Sequence, residues 1–174
     1  MNIRINNDIE LTKIWEIDRV SLAKYINDKV VYENIVTVPH PYNLDDADEF
    51  IELCRSFERN HHARNNWAVR HKGEMIGGIG FLYTFGTESH KDEIGYWLAA
   101  EYRNRGIMTD VVSEFTKFAH KVRKLNRIQA LIFEQNVPSL KVLVKCGYKK
   151  EGVLRNYIKR NNEYRDVIIM SHIG

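Results

Sequence analysis

The chain has 174 residues, of which 44% are hydrophobic and 28% are charged, and its 26 Lys and Arg against 23 Asp and Glu residues give a formal net charge of +3. This composition excludes a disordered protein, because the apolar side chains suffice for a core. No apolar run approaches the roughly 20 residues of a membrane-spanning helix. The N-terminal segment lacks the apolar region of a signal peptide. We therefore expect a single cytoplasmic domain over residues 1–174 without contact to a membrane.

The cysteines, the histidine pair and the basic stretch have ordinary structural interpretations. Cys54 and Cys146 lie in helical patterns without a Cys-x-x-Cys or Cys/His spacing, so we expect reduced core thiols. Residues 117–127 are the densest basic stretch, but their period of about 3.6 residues is typical of the solvated face of a helix. His61 and His62 are expected in a solvated loop rather than a metal site, because adjacent side chains point apart.

Hydrophobic periodicity predicts an alternation of strands and helices along the chain. Strands are predicted over residues 1–11, 66–71, 75–83, 90–98, 127–133, 153–160 and 164–170, the last two joined by Asn161-Asn162-Glu163. Helices are predicted over residues 15–26, 45–57, 106–125 and 137–146, the last closed by Gly147. The buried stripe of the third helix is predicted to comprise Met108, Val111, Val112, Phe115, Ala119 and Val122. Hairpins mixed with strand–helix–strand units predict an α/β (α+β) sheet with helices packed on it.

The loop between the strand that ends near Leu98 and the helix that starts at Gly106 has the features of a phosphate site. A helix N-terminus carries unpaired N–H groups and about half a positive charge. Gly106 allows a ligand to approach the backbone closely, and Arg103 and Arg105 offer charged donors. The spacing matches neither a Walker loop nor Gly-x-Gly-x-x-Gly. The residues alone therefore leave two interpretations, phosphate binding or a plain strand–helix turn with surface arginines.

Arg103-x-x-Gly106-x-Met108 is similar to the loop Gln/Arg-x-x-Gly-x-Gly/Ala that binds acyl-CoA in the GNAT superfamily of N-acetyltransferases. Nearly the whole chain resembles that family, and within it the branch that acetylates ribosomal-protein alanine. Segments 93–98, 107–112, 136–148 and 151–155 are similar to the same branch and follow in the same order. The sequence departs from the family at Met108, which is harmless if its side chain points into the core. It also departs at residues 142–144, which lack the Tyr of many members.

The resemblance implies the GNAT fold, a single mixed sheet of six to seven strands with about four helices packed on it. This sheet is V-split between its fourth and fifth strands, here residues 93–98 and 127–133, and acetyl-CoA lies in the gap without any metal. The implied pantetheine contacts are the backbone of Trp97 and Leu98 together with Asn136 and Ser139. The implied pyrophosphate contacts are Arg103, Asn104, Arg105, Gly106, Ile107, Met108 and Thr109. Asn136 is explained equally well as the N-cap of the following helix.

The implied chemistry is direct attack of a neutral amine on the thioester, so that neither cysteine is needed as a nucleophile. The candidate catalytic groups are the backbone N–H of Leu98 as oxyanion donor, Ser139 as donor to the leaving thiolate, and Glu93 as a base acting through water. The alternatives are an ordinary first-turn hydroxyl for Ser139 and an exposed strand-end carboxylate for Glu93. Glu151 and Tyr148 are weaker candidates for the base.

The acceptor is implied to bind between the loop at residues 33–46 and the C-terminal hairpin with Arg155, Tyr157 and Tyr164. We therefore predict an acetyl-CoA-dependent N-acetyltransferase whose acceptor is the N-terminal α-amine of a protein, such as a ribosomal protein. Nucleic acid would then be met only through the ribosome. The alternatives are a polyamine or aminoglycoside acceptor, a non-catalytic CoA-binding module, and an RNA-binding domain. A homodimer is common in the family, and the exposed strands permit one.

Overall fold

The computed structural model describes residues 1–83, 89–160 and 162–174, which form eight strands and five helices. The strands are β1 (Ile3–Arg4), β2 (Ile9–Thr12), β3 (Asn66–His71), β4 (Glu74–Phe81), β5 (Lys91–Leu98), β6 (Arg127–Phe133), β7 (Lys149–Arg160) and β8 (Glu163–Ile173). The helices are α1 (Arg19–Ile26), α2 (Lys29–Asn34), α3 (Leu44–His61), α4 (Ile107–Lys121) and α5 (Val137–Lys145). Asn161, in the predicted turn of the C-terminal hairpin, lies outside the described residues.

All eight strands belong to one mixed sheet with the order β1-β2-β3-β4-β5-β6-β8-β7. Neighbouring strands are antiparallel except β5 and β6, which are parallel and connected through α4. The predicted α/β sheet is confirmed, although it has more strands than expected. The predicted first strand is two strands, because the Asn6 side chain accepts hydrogen bonds from the backbone N–H groups of Asp8 and Ile9 and supports a reversal of the chain.

The sheet is split between β5 and β6. Their pairing covers only three positions and ends where Glu93 lies opposite Gln129. Beyond that point β5 continues along β4 as far as Leu98, while β6 continues along β8 as far as Phe133. A gap therefore opens in the middle of the sheet between the strands that the sequence predicted to splay apart.

Helices cover both faces of the sheet, and the sheet lies between two hydrophobic clusters. The cluster on the α4 and α5 face includes Phe115 and Leu143, and the cluster on the opposite face includes Leu22 of α1 and Ile51 of α3. Val122 does not belong to the buried stripe of α4 as predicted. It is 53% exposed, because α4 ends at Lys121 and Val122 is only its C-cap.

Two local features differ from the sequence prediction. The prediction missed α2, a helix of 6 residues whose N-cap is Asp28, with a side chain that accepts from the N–H groups of Val30 and Val31. His61 is the last residue of α3 rather than part of a loop, and His62 ends that helix with a left-handed φ of 48°. Within the described residues we find no cluster of side chains that could hold a metal ion and no helix that could cross a membrane.

Candidate active site

The unpaired half of β5 presents backbone groups to the gap. Ala99 donates its N–H to the carbonyl of Ile76, and the carbonyl of Glu93 accepts from Leu82, so the odd-numbered residues of β5 bond to β4. The even-numbered residues Ile94, Tyr96 and Leu98 therefore direct their N–H and C=O groups into the gap. The Leu98 N–H thus lies where the sequence predicted an oxyanion donor.

The backbone of Trp97 does not face the gap, contrary to the prediction. Trp97 lies opposite Gly78 at an odd-numbered position of the ladder, so its N–H and C=O groups point toward β4. Its indole ring needs the glycine at that position, because a Cβ on Gly78 would lie 2.7 Å from the Trp97 Nε1 atom. Trp97 therefore shapes the edge of the gap by packing, and Leu98 alone of the predicted pair offers backbone groups there.

The N-terminus of α4 beside this gap leaves several backbone N–H groups unpaired within the helix. The first helical hydrogen bond runs from the N–H of Asp110 to the carbonyl of Gly106, and no side chain caps the helix. The N–H groups of Ile107, Met108 and Thr109 therefore have no partner inside α4. Their partial positive charge suits a pyrophosphate, so these residues fit the CoA that the sequence resemblance implies.

The conformation of the loop before α4 explains its glycine. Gly106 has a φ of +80°, and a Cβ at this position would meet nothing within 4 Å. Asn104 also has a left-handed φ, of 61°. No protein atom therefore occupies the space where a side chain of residue 106 would lie, so a ligand can approach the backbone there. Met108 is only 8% exposed and packs in the core cluster, so this departure from the family loop leaves the ligand side unobstructed.

The side chains of the two loop arginines differ in their partners. Arg103 donates from Nε to the carbonyl of Leu98 over 2.9 Å, and its Nη2 lies 3.1 Å from Oδ2 of Asp28. Its guanidinium is therefore bound to protein groups, not free for phosphate as the sequence suggested. Arg105 is exposed, with its guanidinium carbon 5.6 Å from the ring centre of Tyr102. Arg105 is thus the loop arginine whose charge is open to a ligand.

Ser139 lies in the first turn of α5, next to the open end of the gap. Asn136 is the N-cap of this helix, and its Oδ1 accepts from the Ser139 N–H over 3.3 Å, which is the capping role anticipated for it. The Ser139 hydroxyl is 2.7 Å from the hydroxyl of Tyr96 on β5. Burial raises the pKa of Tyr96 above its ordinary value. Tyr96 was not predicted as a site residue from the sequence, although it lies two residues from Leu98 and shares its face of β5.

Glu93 occupies the last paired position of β5, at the apex of the gap. It is buried, 8% exposed, and its Oε2 accepts from Gln129 Nε2 over 3.2 Å, so it is not the exposed strand-end carboxylate of the alternative interpretation. Burial raises the pKa of the Glu93 carboxyl above its ordinary value. Because side chains alternate along a strand, Glu93 and Tyr96 point to opposite faces of β5. The gap therefore has a carboxylate on one face and the Tyr96–Ser139 pair on the other.

The two weaker candidates for the base are engaged elsewhere. Glu151 pairs with Arg127 and accepts from the Ser171 hydroxyl, and these contacts, the Arg127 hydrogen bond first, lower its pKa to about 2. Such a carboxylate is a poor base near neutral pH. Tyr148 is 3% exposed and its hydroxyl is 2.9 Å from the hydroxyl of Thr116 in the core. Glu93 is therefore favoured over both.

Both cysteines are free thiols, as predicted. Burial raises the pKa of Cys54 to about 12 and that of Cys146 to about 11. The Cys146 thiol also donates to the carbonyl of Thr109 over 3.3 Å. Both thiols are thus protonated near neutral pH and are weak nucleophiles, which agrees with a direct attack of the amine.

The structure brings the two predicted acceptor segments together. Arg160 of β7 is buried and donates to the carbonyls of Ile35, over 3.0 Å, and Val38. Arg165 of β8 donates to the carbonyl of Glu33 over 3.4 Å. The hairpin is thereby fixed to the loop after α2. Beyond these contacts, the side chains proposed for the acceptor remain exposed: Arg155, Tyr157 and Tyr164.

Residues 8–149 match the acetyltransferase (GNAT) domain family. The L-amino acid N-acetyltransferase AaaT of Escherichia coli is 29% identical over 150 residues, which are 82% of this chain and 84% of that protein. The structure of the ribosomal-protein-S5-alanine acetyltransferase of Vibrio fischeri superposes with a TM-score of 0.86 at 24% identity, over 99% of this chain and 96% of that one. The microcin C7 self-immunity acetyltransferase MccE, solved with acetyl-CoA and AMP, superposes with a TM-score of 0.84 at 23% identity, over 98% and 94% of the two chains.

The chain belongs to the GNAT family of acetyltransferases, and the family and fold predicted from the sequence are confirmed. It is an acyltransferase with acetyl-CoA as its co-substrate.

Proposed function

We propose that this acetyltransferase acts on the N-terminal α-amine of a protein, with a ribosomal protein as the favoured example. The observation that carries the proposal is the gap between β5 and β6, which lies beside the unpaired N–H groups of α4. The similarity to an S5-alanine acetyltransferase supports a protein acceptor. An α-amine also has a pKa of about 7.7–8.0 against about 10.4 for lysine, so one buried carboxylate suffices to remove its proton.

In this proposal the two arms of CoA bind to different elements. The N–H groups of Ile107, Met108 and Thr109 hold the pyrophosphate, together with the backbone of residues 103–106 and the exposed charge of Arg105. Pantetheine lies along β5 as an added strand and bonds to the inward-facing backbone of Leu98. Asn136 reaches pantetheine with the part of its amide that does not cap α5.

The chemical step then uses three groups of this chain. Glu93 accepts the proton of the amine through a water molecule, since its raised pKa makes it a better base than an ordinary carboxylate. The Leu98 N–H stabilises the negative charge that develops on the thioester oxygen. The Ser139 hydroxyl donates a hydrogen bond to the departing thiolate. Because Glu93 and Ser139 lie on opposite faces of β5, the amine and CoA approach the gap from opposite sides.

The acceptor would lie against the loop after α2 and the exposed residues Arg155, Tyr157 and Tyr164 of the hairpin. Arg160 and Arg165 fix the hairpin to the loop after α2 through hydrogen bonds to its backbone carbonyls. A surface fixed in this way suits the binding of an extended peptide better than closure around a small charged molecule such as a polyamine. The proposal includes a cytoplasmic location, where N-termini of ribosomal proteins are accessible. A homodimer and an indirect approach to nucleic acid through the ribosome stay predictions.

Release of the CoA thiol tests this proposal. The purified protein is incubated with acetyl-CoA and peptides that begin with Ala or Ser, with the same peptides blocked at their N-terminus as the matched control. We expect thiol release with the free peptides and none with the blocked ones. Thiol release only with spermidine, an aminoglycoside or a free amino acid would show that this compound, and not a protein N-terminus, is the acceptor. Among these alternatives, the similarity to the amino acid acetyltransferase AaaT favours a free amino acid. CoA binding without turnover on the whole panel would indicate a binding module.

A further inference from the structure

A tyrosine on β5 makes a direct contact with the serine proposed for the leaving group. Tyr96 lies in the part of β5 that no longer pairs with β6, and Ser139 lies in the helix that follows β6. Their hydroxyl oxygens are 2.7 Å apart, and the Tyr96 hydroxyl is also 3.3 Å from the Ser139 carbonyl. The hydrogen bond therefore connects β5 with α5 across the gap, on the face of the sheet that α5 covers.

The direction of this hydrogen bond decides what Ser139 can do. A hydroxyl has one proton to donate. If Ser139 donates to Tyr96, that proton is used and the Tyr96 proton goes to the Ser139 carbonyl. If Tyr96 donates to the Ser139 Oγ, the Ser139 proton is free for another acceptor. The Tyr96 hydroxyl lies closer to the Ser139 Oγ, at 2.7 Å, than to the Ser139 carbonyl, at 3.3 Å. A phenol is also a stronger hydrogen-bond donor than an aliphatic hydroxyl, so donation from Tyr96 to the Ser139 Oγ is the favoured arrangement.

We propose that Tyr96 is a positioning residue for Ser139: its phenol donates to the Ser139 Oγ, so that the Ser139 O–H points at the sulfur atom of CoA. This inference rests on the proposed function, which places the thioester in the gap. In the step, the amine nitrogen forms the new C–N bond, the C–S bond breaks, and its electron pair remains on sulfur. The amine proton passes to Glu93 through water. Both hydroxyls keep their protons and only stabilise the thiolate, which solvent protonates after release.

The variant Tyr96→Phe keeps the ring packing and removes this single donor. We expect kcat to fall by about tenfold, the effect of one hydrogen bond, while KM for acetyl-CoA stays within about twofold. Ser139→Ala should have a similar effect. In the double variant, the Tyr96 change should add almost nothing, because the two hydroxyls act as a unit.

A readout that depends on the leaving group separates positioning from mere packing. With the oxygen-ester analogue of acetyl-CoA, the leaving atom is more basic and needs the hydrogen bond more. The ratio of wild-type to Tyr96→Phe rates should therefore be larger than with the thioester. Tyr148→Phe is the matched control, since it also removes a buried phenol hydroxyl, bonded to Thr116 in the core. We expect Tyr148→Phe to lower the melting temperature and to leave this ratio unchanged.

The outcomes distinguish the inference from the function on which it rests. If the wild-type protein releases the CoA thiol and a folded Tyr96→Phe variant does so at the same rate, the inference alone would be overturned. Additive losses in the double variant, or equal ratios with the two esters, would also overturn it. A wild-type protein that releases no thiol with any amine would overturn the proposed function and the inference together.

Discussion

Two constraints act on the loop residue Gly106: its backbone conformation, which disfavours most side chains, and its position beside the expected pyrophosphate. Its left-handed φ of +80° disfavours most side chains, but Asn and Asp are the ones that adopt this region most readily. Gly106→Asp and Gly106→Asn should therefore lose similar stability. We expect Gly106→Asp to weaken CoA binding by at least about tenfold more than Gly106→Asn, because it places a like charge beside the pyrophosphate. Calorimetric titration with CoA and thermal unfolding check both statements, and CoA affinity equal in the two variants would contradict the site.

Glu93 should govern the acid limb of the pH profile. Its raised pKa means that the carboxyl becomes protonated, and stops accepting the amine proton, at a higher pH than an ordinary glutamate. We expect kcat/KM to fall as the pH drops through this pKa, and Glu93→Gln to lower kcat/KM by about 100-fold and to remove this fall, so that only the fall caused by protonation of the substrate amine remains. Glu151→Gln is the control and should retain the limb. An acid limb that persists unchanged in Glu93→Gln would exclude Glu93 as the base.

A buried ion pair fixes the entry to α1 against the sheet. Arg70 of β3 donates from Nη1 and Nη2 to Asp18, over 2.7 and 2.6 Å, and from Nε to Thr12 of β2. The side chains of Arg70 and Asp18 are 3% and 4% exposed. Three elements thus depend on one guanidinium, and removal of its partner leaves a buried charge.

Asp18→Asn should therefore lower the free energy of unfolding by about 3–5 kcal/mol. Asp48→Asn is the matched control, because Asp48 pairs with Arg19 at the surface, where the side chains are 53% and 39% exposed. We expect that change to cost less than about 1 kcal/mol. Urea unfolding of the two variants measures the difference, and equal costs would show that the buried pair contributes no more than a surface one.

The elements that sequence patterns predicted well are those with a strong hydrophobic pattern. Strand β6 was predicted with its observed limits, because Arg127 to Phe133 is a short, mostly apolar run that ends at the polar residues 134–136. α2 was missed because its 6 residues are too few to show a helical period. The unpaired backbone N–H groups at the start of α4 were predicted from the loop motif that ends at Gly106. The Tyr96–Ser139 and Arg103–Asp28 contacts join residues far apart in the chain, so they depend on the assembled sheet and could not be predicted.

The whole molecule has a pH-sensitive contact at the edge of its core. His120 of α4 and His172 of β8 are joined by a hydrogen bond of 2.9 Å between Nε2 and Nδ1, and Nδ1 of His120 also bonds to the carbonyl of Leu125. Burial, and then the charge of His120, lower the pKa of His172 below its ordinary value. The unfolded chain therefore takes up a proton more readily than the folded protein.

The free energy of unfolding should accordingly fall as the pH drops below about 6.5, the ordinary pKa of histidine. This fall should end once the pH is below the lower pKa that His172 has in the folded protein. His172→Gln removes the titrating group and should reduce this dependence. Urea unfolding between pH 5 and 8 measures the effect on both proteins. A slope in His172→Gln as steep as in the wild type would assign the dependence to other groups.

A crystal structure of the protein with bound CoA tests most directly whether the split sheet is the acetyl-transfer site. We expect pantetheine between β5 and β6 with a hydrogen bond to the backbone of Leu98, and the pyrophosphate within hydrogen-bond distance of the N–H groups of Ile107, Met108 and Thr109. A CoA molecule bound away from the gap, or a gap closed by side chains of the protein itself, would contradict this assignment.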